Sequence, residues 1–198
     1  MRKPLRTALK VLAGTALLFV IAFGVVWFRF RPDAMGRVIP LFEKIDMAAH
    51  QPFAAAVGSS VKMSVFEGLP NPFGERDLVK SELKIKQTFK NRGHRFYATE
   101  ISLTAVDSSS LQAIAVGSAG FVEWSRMKTC GGFHPDWLIR CTSGDGSVHE
   151  LHLCFGCREA KLYGPAYQLY CDLEPDTRQA LKALLGRYRK QRPQTPRQ

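Results

Sequence analysis

No cysteine occurs outside one stretch of the chain. All five lie between Cys130 and Cys171, so any thiol chemistry or cross-linking is confined to that part. Acidic residues are missing from both ends. Residues 1–31 carry six Lys/Arg and no Asp or Glu, and residues 178–198 carry seven Lys/Arg and none. The formal charge of +11 is therefore terminal, because residues 32–177 hold 15 basic against 17 acidic side chains. A near-neutral body without an aromatic-basic platform argues against tracking of phosphates, and we expect no nucleic-acid partner. Basic ends suit an anionic lipid bilayer better. There is also no GxSxG, phosphate loop, HExxH or dinucleotide fingerprint. Arg158 after Cys157 excludes a CxxCH haem attachment.

Long apolar runs are scarce, with one exception. Val11 to Phe28 is uncharged over 18 residues, about 27 Å as a helix against a hydrocarbon layer of about 30 Å. Trp27 and Phe28 end it with rings that favour the headgroup layer. The run is longer than a signal peptide's apolar region and ends in bulky residues rather than an A-x-A site. It predicts a retained single-pass membrane anchor. The flanking basic residues are nearly balanced (Arg2, Lys3, Arg6 and Lys10 against Arg29, Arg31, Arg37 and Lys44). The short basic head favours a body outside the cytoplasm, while the odd number of cysteines pulls the other way.

The expected organisation is an anchor over 1–31, a juxtamembrane segment over 32–58, an α+β domain over 59–188 and a basic flexible tail over 189–198. Alternation predicts a strand over Ser60–Phe66, and the two prolines and two glycines of Glu67–Glu75 predict a loop. Its acids, Glu67 and Glu75, with Asp77, read as solvated. A helix over 77–84, a hairpin over 85–98 and a helix capped by Asp107 or Ser108 follow. From Trp137 to Leu173 four alternating segments separated by turns predict an antiparallel β-meander. A covering helix starts at Glu174-Pro175-Asp176-Thr177 and buries Ala180, Leu181, Leu184, Leu185 and Tyr188. The fold class is thus α+β: an N-terminal transmembrane helix, then one small domain with a meander and a C-terminal covering helix.

The candidate site lies at the start of the meander. Cys154 and Cys157 flank a tight turn, the knuckle geometry of zinc ribbons, and Cys130 and His134 precede the first meander strand. Three sulfurs and an imidazole are a permitted tetrahedral set for Zn²⁺. Other readings of the same residues are a Cys154–Cys157 redox couple, a structural disulfide in which Cys130 pairs with one of them, and free buried thiols. Asp136 can orient the His134 ring or cap a turn. Cys141 and Cys171 alternate with apolar residues and read as small core side chains; a Cys141–Cys171 disulfide is the alternative. His149 and His152 fall on opposite faces of one strand, with His152 a reserve ligand beside Cys154. His50 and His94 read as surface residues.

Three segments in order, VFEGLPNP from Val65, CGGFHPDWLIR from Cys130 and CFGCREAKLYGP from Cys154, resemble a family of uncharacterised bacterial proteins. That family carries VFEGLPH-like, CGGFHPD-like and CFGC-type motifs. The resemblance covers about residues 61–188 and implies no activity. Asn71 stands here where the family commonly has His after the proline. The functional expectation is a binding or scaffold module with a structural Cys130–His134–Cys154–Cys157 zinc site and a protein partner of unknown kind. The alternative is a membrane-tethered thiol-disulfide oxidoreductase.

Overall fold

Strand β1 (Ser60–Glu67) forms where alternation predicts a strand, but its burial comes in one block: Val61 is 73% exposed and Ser64 to Glu67 are all buried. The structure, a computed structural model, describes residues 46–72, 74–125 and 132–193. All of them fall within one unit, Lys44–Gln198. Helix α1 (His50–Gly58) leads into β1, and α2 (Arg76–Ile85) follows it. Next come the hairpin strands β2 (Thr88–Asn91) and β3 (His94–Tyr97), then helix α3 (Ala105–Val116) and strand β4 (Phe121–Glu123). The meander is β5 (Trp137–Ser143), β6 (Val148–Cys154), β7 (Glu159–Tyr163) and β8 (Gln168–Leu173), and α4 (Pro175–Gly186) closes the unit. Six strands form one antiparallel sheet in the order β1-β5-β6-β7-β8-β4, and β2 pairs only with β3. The meander is therefore the middle of a wider sheet, with β1 and β4 added at its two edges.

The expected fold needs one correction. No helix among the described residues is long and apolar enough to cross a membrane. The longest have 12 residues, about 18 Å against the roughly 30 Å of a hydrocarbon layer. The expected transmembrane segment, residues 11–28, lies outside the described residues. The fold is an α+β domain with an antiparallel sheet, described without that helix.

Two helix starts also differ from expectation. Helix α1 falls in the expected juxtamembrane segment. Pro52 sits in its first turn, where a missing N–H breaks no helical bond, and Phe53 and Val57 share one buried face. Helix α3 is capped by Thr104, whose hydroxyl accepts the Asp107 N–H at 3.1 Å, rather than by Asp107 or Ser108.

Register divides the sheet into two faces. On the first, Trp137, Leu153, Ala160 and Cys171 align across four strands, as do Ile139, Leu151, Leu162 and Leu169. They pack with Phe53 and Val57 of α1, Leu111 and Ala115 of α3, and Leu181, Leu184 and Leu185 of α4 into the main core. On the second, Leu138, His152, Lys161 and Tyr170 make one row and Arg140, Glu150, Tyr163 and Gln168 the next. Phe66, Phe96 and Leu138, with Phe89, form a small apolar cluster on that side.

Candidate functional site

The turn Phe155-Gly156-Cys157-Arg158 joins β6 to β7. The Cys157 N–H donates to Cys154 Sγ at 3.4 Å, and the His134 N–H also donates to that sulfur. The knuckle predicted from the spacing is present, but its two sulfurs differ in state. Cys157 is disulfide-bonded, whereas Cys154 is a free, buried thiol. Burial is the main cause that pushes the Cys154 thiol up. A reactive dithiol needs an accessible, low-pKa thiolate, and Cys154 is the opposite.

In the disulfide-bonded state of Cys157 the expected Cys3His centre would lack one of its thiolates. A sulfur in a disulfide is not a thiolate, so Cys157 has no charge to offer a metal in this state. Among the described residues no group of three or more His, Cys, Asp or Glu could hold a metal ion. Cys130 lies outside the described residues. His134 is half-buried, and burial outweighs the Asp136 carboxylate in lowering its pKa.

The alternative Cys141–Cys171 disulfide is corrected. Both thiols are free and buried. Cys141 lies on β5 and Cys171 on β8, with β6 and β7 between them. Three strand spacings are about 14 Å, more than twice the reach of a disulfide. Both remain core side chains, and burial holds the Cys141 thiol at about 11.

Asp136, expected to orient an imidazole or cap a turn, ties the three motif segments together. Its N–H donates to the Leu153 carbonyl at 2.7 Å, and its carbonyl accepts the Gly68 N–H at 2.8 Å. Its Oδ2 accepts the Phe155 N–H at 2.8 Å. Its Oδ1 pairs with Arg189 at 3.3 Å and Arg192 at 3.1 Å. Gly68 is needed at this crossing, because a Cβ there would stand 2.0 Å from the Pro135 carbonyl oxygen. The Glu67 side chain is 0% exposed, not solvated as expected. It accepts the Gln191 N–H at 2.9 Å and pairs with Arg189 at 3.6 Å. Glu75 pairs with Arg192 at 2.6 Å. The residues expected to begin a flexible tail, Arg189 and Arg192, are thus held by three carboxylates.

The second sheet face gathers ionisable groups under cover. Lys161 is 3% exposed, with Nζ 4.6 Å from the Phe133 ring centre and 4.5 Å from that of Tyr170. Glu159 accepts from Trp124 Nε1 at 3.0 Å and from the Tyr170 hydroxyl at 2.7 Å. Glu150 accepts from Asn91 at 2.7 Å and Arg140 at 3.0 Å. His152 is fully buried, with both ring nitrogens lacking a hydrogen-bond partner, and touches the rings of His94, Phe96 and Tyr163. Burial, then Lys161, lowers His94 to about 4, and burial drives His152 well below its ordinary value. His94 is half-buried, not a surface residue. His50 is buried too, with Nε2 3.2 Å from the Ala115 carbonyl oxygen. His149 and His152 do lie on opposite faces; His149 Nδ1 meets the Tyr167 hydroxyl at 2.6 Å.

On the α4 side of Asp136 a cavity of about 340 Å³ opens, lined by Asp136, Trp137, Phe155, Gly156, Arg178, Lys182, Gly186 and Arg189. Four of these belong to the HPDW and CFGC segments. The other four fall at 178, 182, 186 and 189, the spacing of one helical face continued past its end. The α4 contribution is not part of the site expected from the sequence, which assigns residues 189–198 to a basic flexible tail. A signal was available: the run from Arg178 to Arg192 holds cations at helical spacing with no acid between them.

No protein-family model, no curated protein and no solved structure matches this chain.

Proposed function

We propose that this domain is a non-catalytic binding module whose ligand site is the cavity between α4 and the Cys154–Cys157 turn. The carrying observation is the convergence of Asp136, Trp137, Phe155 and Gly156, from two separated motif segments, with the α4 face on one cavity of about 340 Å³. That volume suits a small molecule or a single inserted side chain. The walls are held from behind by the Asp136 bonds and by Arg178, whose Nε donates to the Phe155 carbonyl at 2.9 Å. Such bracing keeps a site open before ligand arrives. The disulfide at Cys157 supports work in an oxidising compartment, outside the cytoplasm.

Gly186 tests the reading. A Cβ at this residue meets no atom within 4 Å, so Gly186→Phe can fill the cavity without forcing the backbone. The wild-type full chain is expected to bind an apolar fluorescent probe of naphthylamine type with a saturable component. The Gly186→Phe chain is expected to lose that component with an unchanged or raised Tm. Equal saturable binding by both chains would remove the cavity as the ligand site.

A further inference from the structure

We infer that the ligand of this cavity is a small amphipathic organic anion, its acidic head held by Arg178 and Lys182 and its apolar body against Phe155 and Trp137. This rests on the binding-module reading above and adds the chemical class to it.

The charges around the cavity are unequal. Asp136 is the one acid among the lining residues, and it is already occupied. Both its oxygens accept hydrogen bonds, one from the Phe155 N–H and the other from Arg189 and Arg192. Arg189 is also paired, since it reaches Glu67 as well as Asp136. Arg178 and Lys182 remain. Arg178 spends Nε on the Phe155 carbonyl. No ion pair joins Arg178 or Lys182 to a carboxylate among the described residues. They stand four residues apart on α4, so their heads share one side of the helix. A guanidinium with two free –NH₂ groups beside an ammonium is suited to a carboxylate, sulfonate or phosphate oxygen pair.

The opposite wall is apolar. Phe155 and Trp137 supply rings, and the missing side chains of Gly156 and Gly186 leave space that a Cβ would enter unopposed. A wholly ionic ligand would make no use of the apolar wall and the space at the two glycines, and a wholly apolar one would leave two cations unmatched. An amphipathic anion meets both.

The test compares two probes on the full chain: anilinonaphthalene sulfonate, which is anionic, and N-phenylnaphthylamine, which has similar rings and no charge. Wild type is expected to bind the sulfonate about ten-fold or more tighter than the amine. Lys182→Glu is expected to weaken the sulfonate by about ten-fold or more and leave the amine unchanged. Arg178→Gln is expected to act in the same direction, with Lys182→Glu kept as the decisive variant because Lys182 is exposed and holds no structural bond. Gly186→Phe is expected to abolish both signals. If the two probes bind equally and Lys182→Glu changes neither, the anion assignment fails while the cavity reading stands. If Gly186→Phe changes neither, the cavity reading itself fails and the anion assignment with it.

Discussion

The two faces of the six-stranded sheet are made by the same strands and reach burial by opposite means. The first face places Trp137, Ile139, Leu151, Leu153, Ala160, Leu162, Leu169 and Cys171 against three helices. Its stability comes from apolar area withdrawn from water, a term that is non-directional and tolerates approximate geometry. The second face buries Glu150, His152, Glu159, Lys161 and Asp172. Every one of those groups loses hydration and needs a partner in the right place, so its net contribution is small or negative. The comparison teaches that the first face holds the fold and the second makes it sensitive to conditions.

The most disruptive way to sharpen this contrast is to cut the first face. Leu162→Ala removes a fully buried side chain and is expected to cost about 2–5 kcal/mol in urea unfolding at neutral pH. A loss under about 1 kcal/mol would mean that the apolar face does not dominate. Acid should act on the second face instead. His94 has a folded pKa of about 4 against an ordinary 6.5. A base whose folded pKa is depressed stabilises fully above the unfolded value, and that contribution is lost as pH falls from 6.5 toward 4. The expected loss from His94 alone is about 3 kcal/mol, with His152 adding in the same direction. Stability measured at pH 7, 5.5 and 4 should fall in wild type and fall less in His94→Gln; parallel curves would deny the role of the ring.

Reduction of the Cys157 disulfide comes next, at about 2–4 kcal/mol. In native protein without reductant, alkylation should spare Cys141 and Cys171, which the core covers; in denaturant it should label Cys141, Cys154 and Cys171 but not Cys157. Labelling of Cys157 in the unreduced chain would overturn the disulfide. The smallest expected effect has the opposite sign. His152→Phe keeps the three ring contacts and removes two unpartnered nitrogens, so stability should rise by about 1 kcal/mol at pH 7. A drop of that size would show that the imidazole nitrogens are satisfied in solution.

The amino-acid sequence by itself determined the strands and helices of the last third. There, alternation of period two and turn residues at short intervals are local facts, and the Cys154–Cys157 knuckle follows from two such strands. It also placed Cys141 and Cys171 correctly as core side chains, because each continues an apolar series on one strand face, Trp137 and Ile139 before Cys141 and Leu169 before Cys171. Only the tertiary structure decided which strands sit beside which, and with that every long-range partner. That β1 joins β5 turned Glu67 from a loop acid into a buried one facing Arg189. That Arg189 and Arg192 fold back onto Asp136 converted an apparently loose basic end into a wall of the cavity. The physical reason is the range of the interactions. Backbone geometry and side-chain alternation act over a few residues and can be read along the chain. The pairing of a carboxylate with a guanidinium more than fifty residues away depends on the path of all the chain between them.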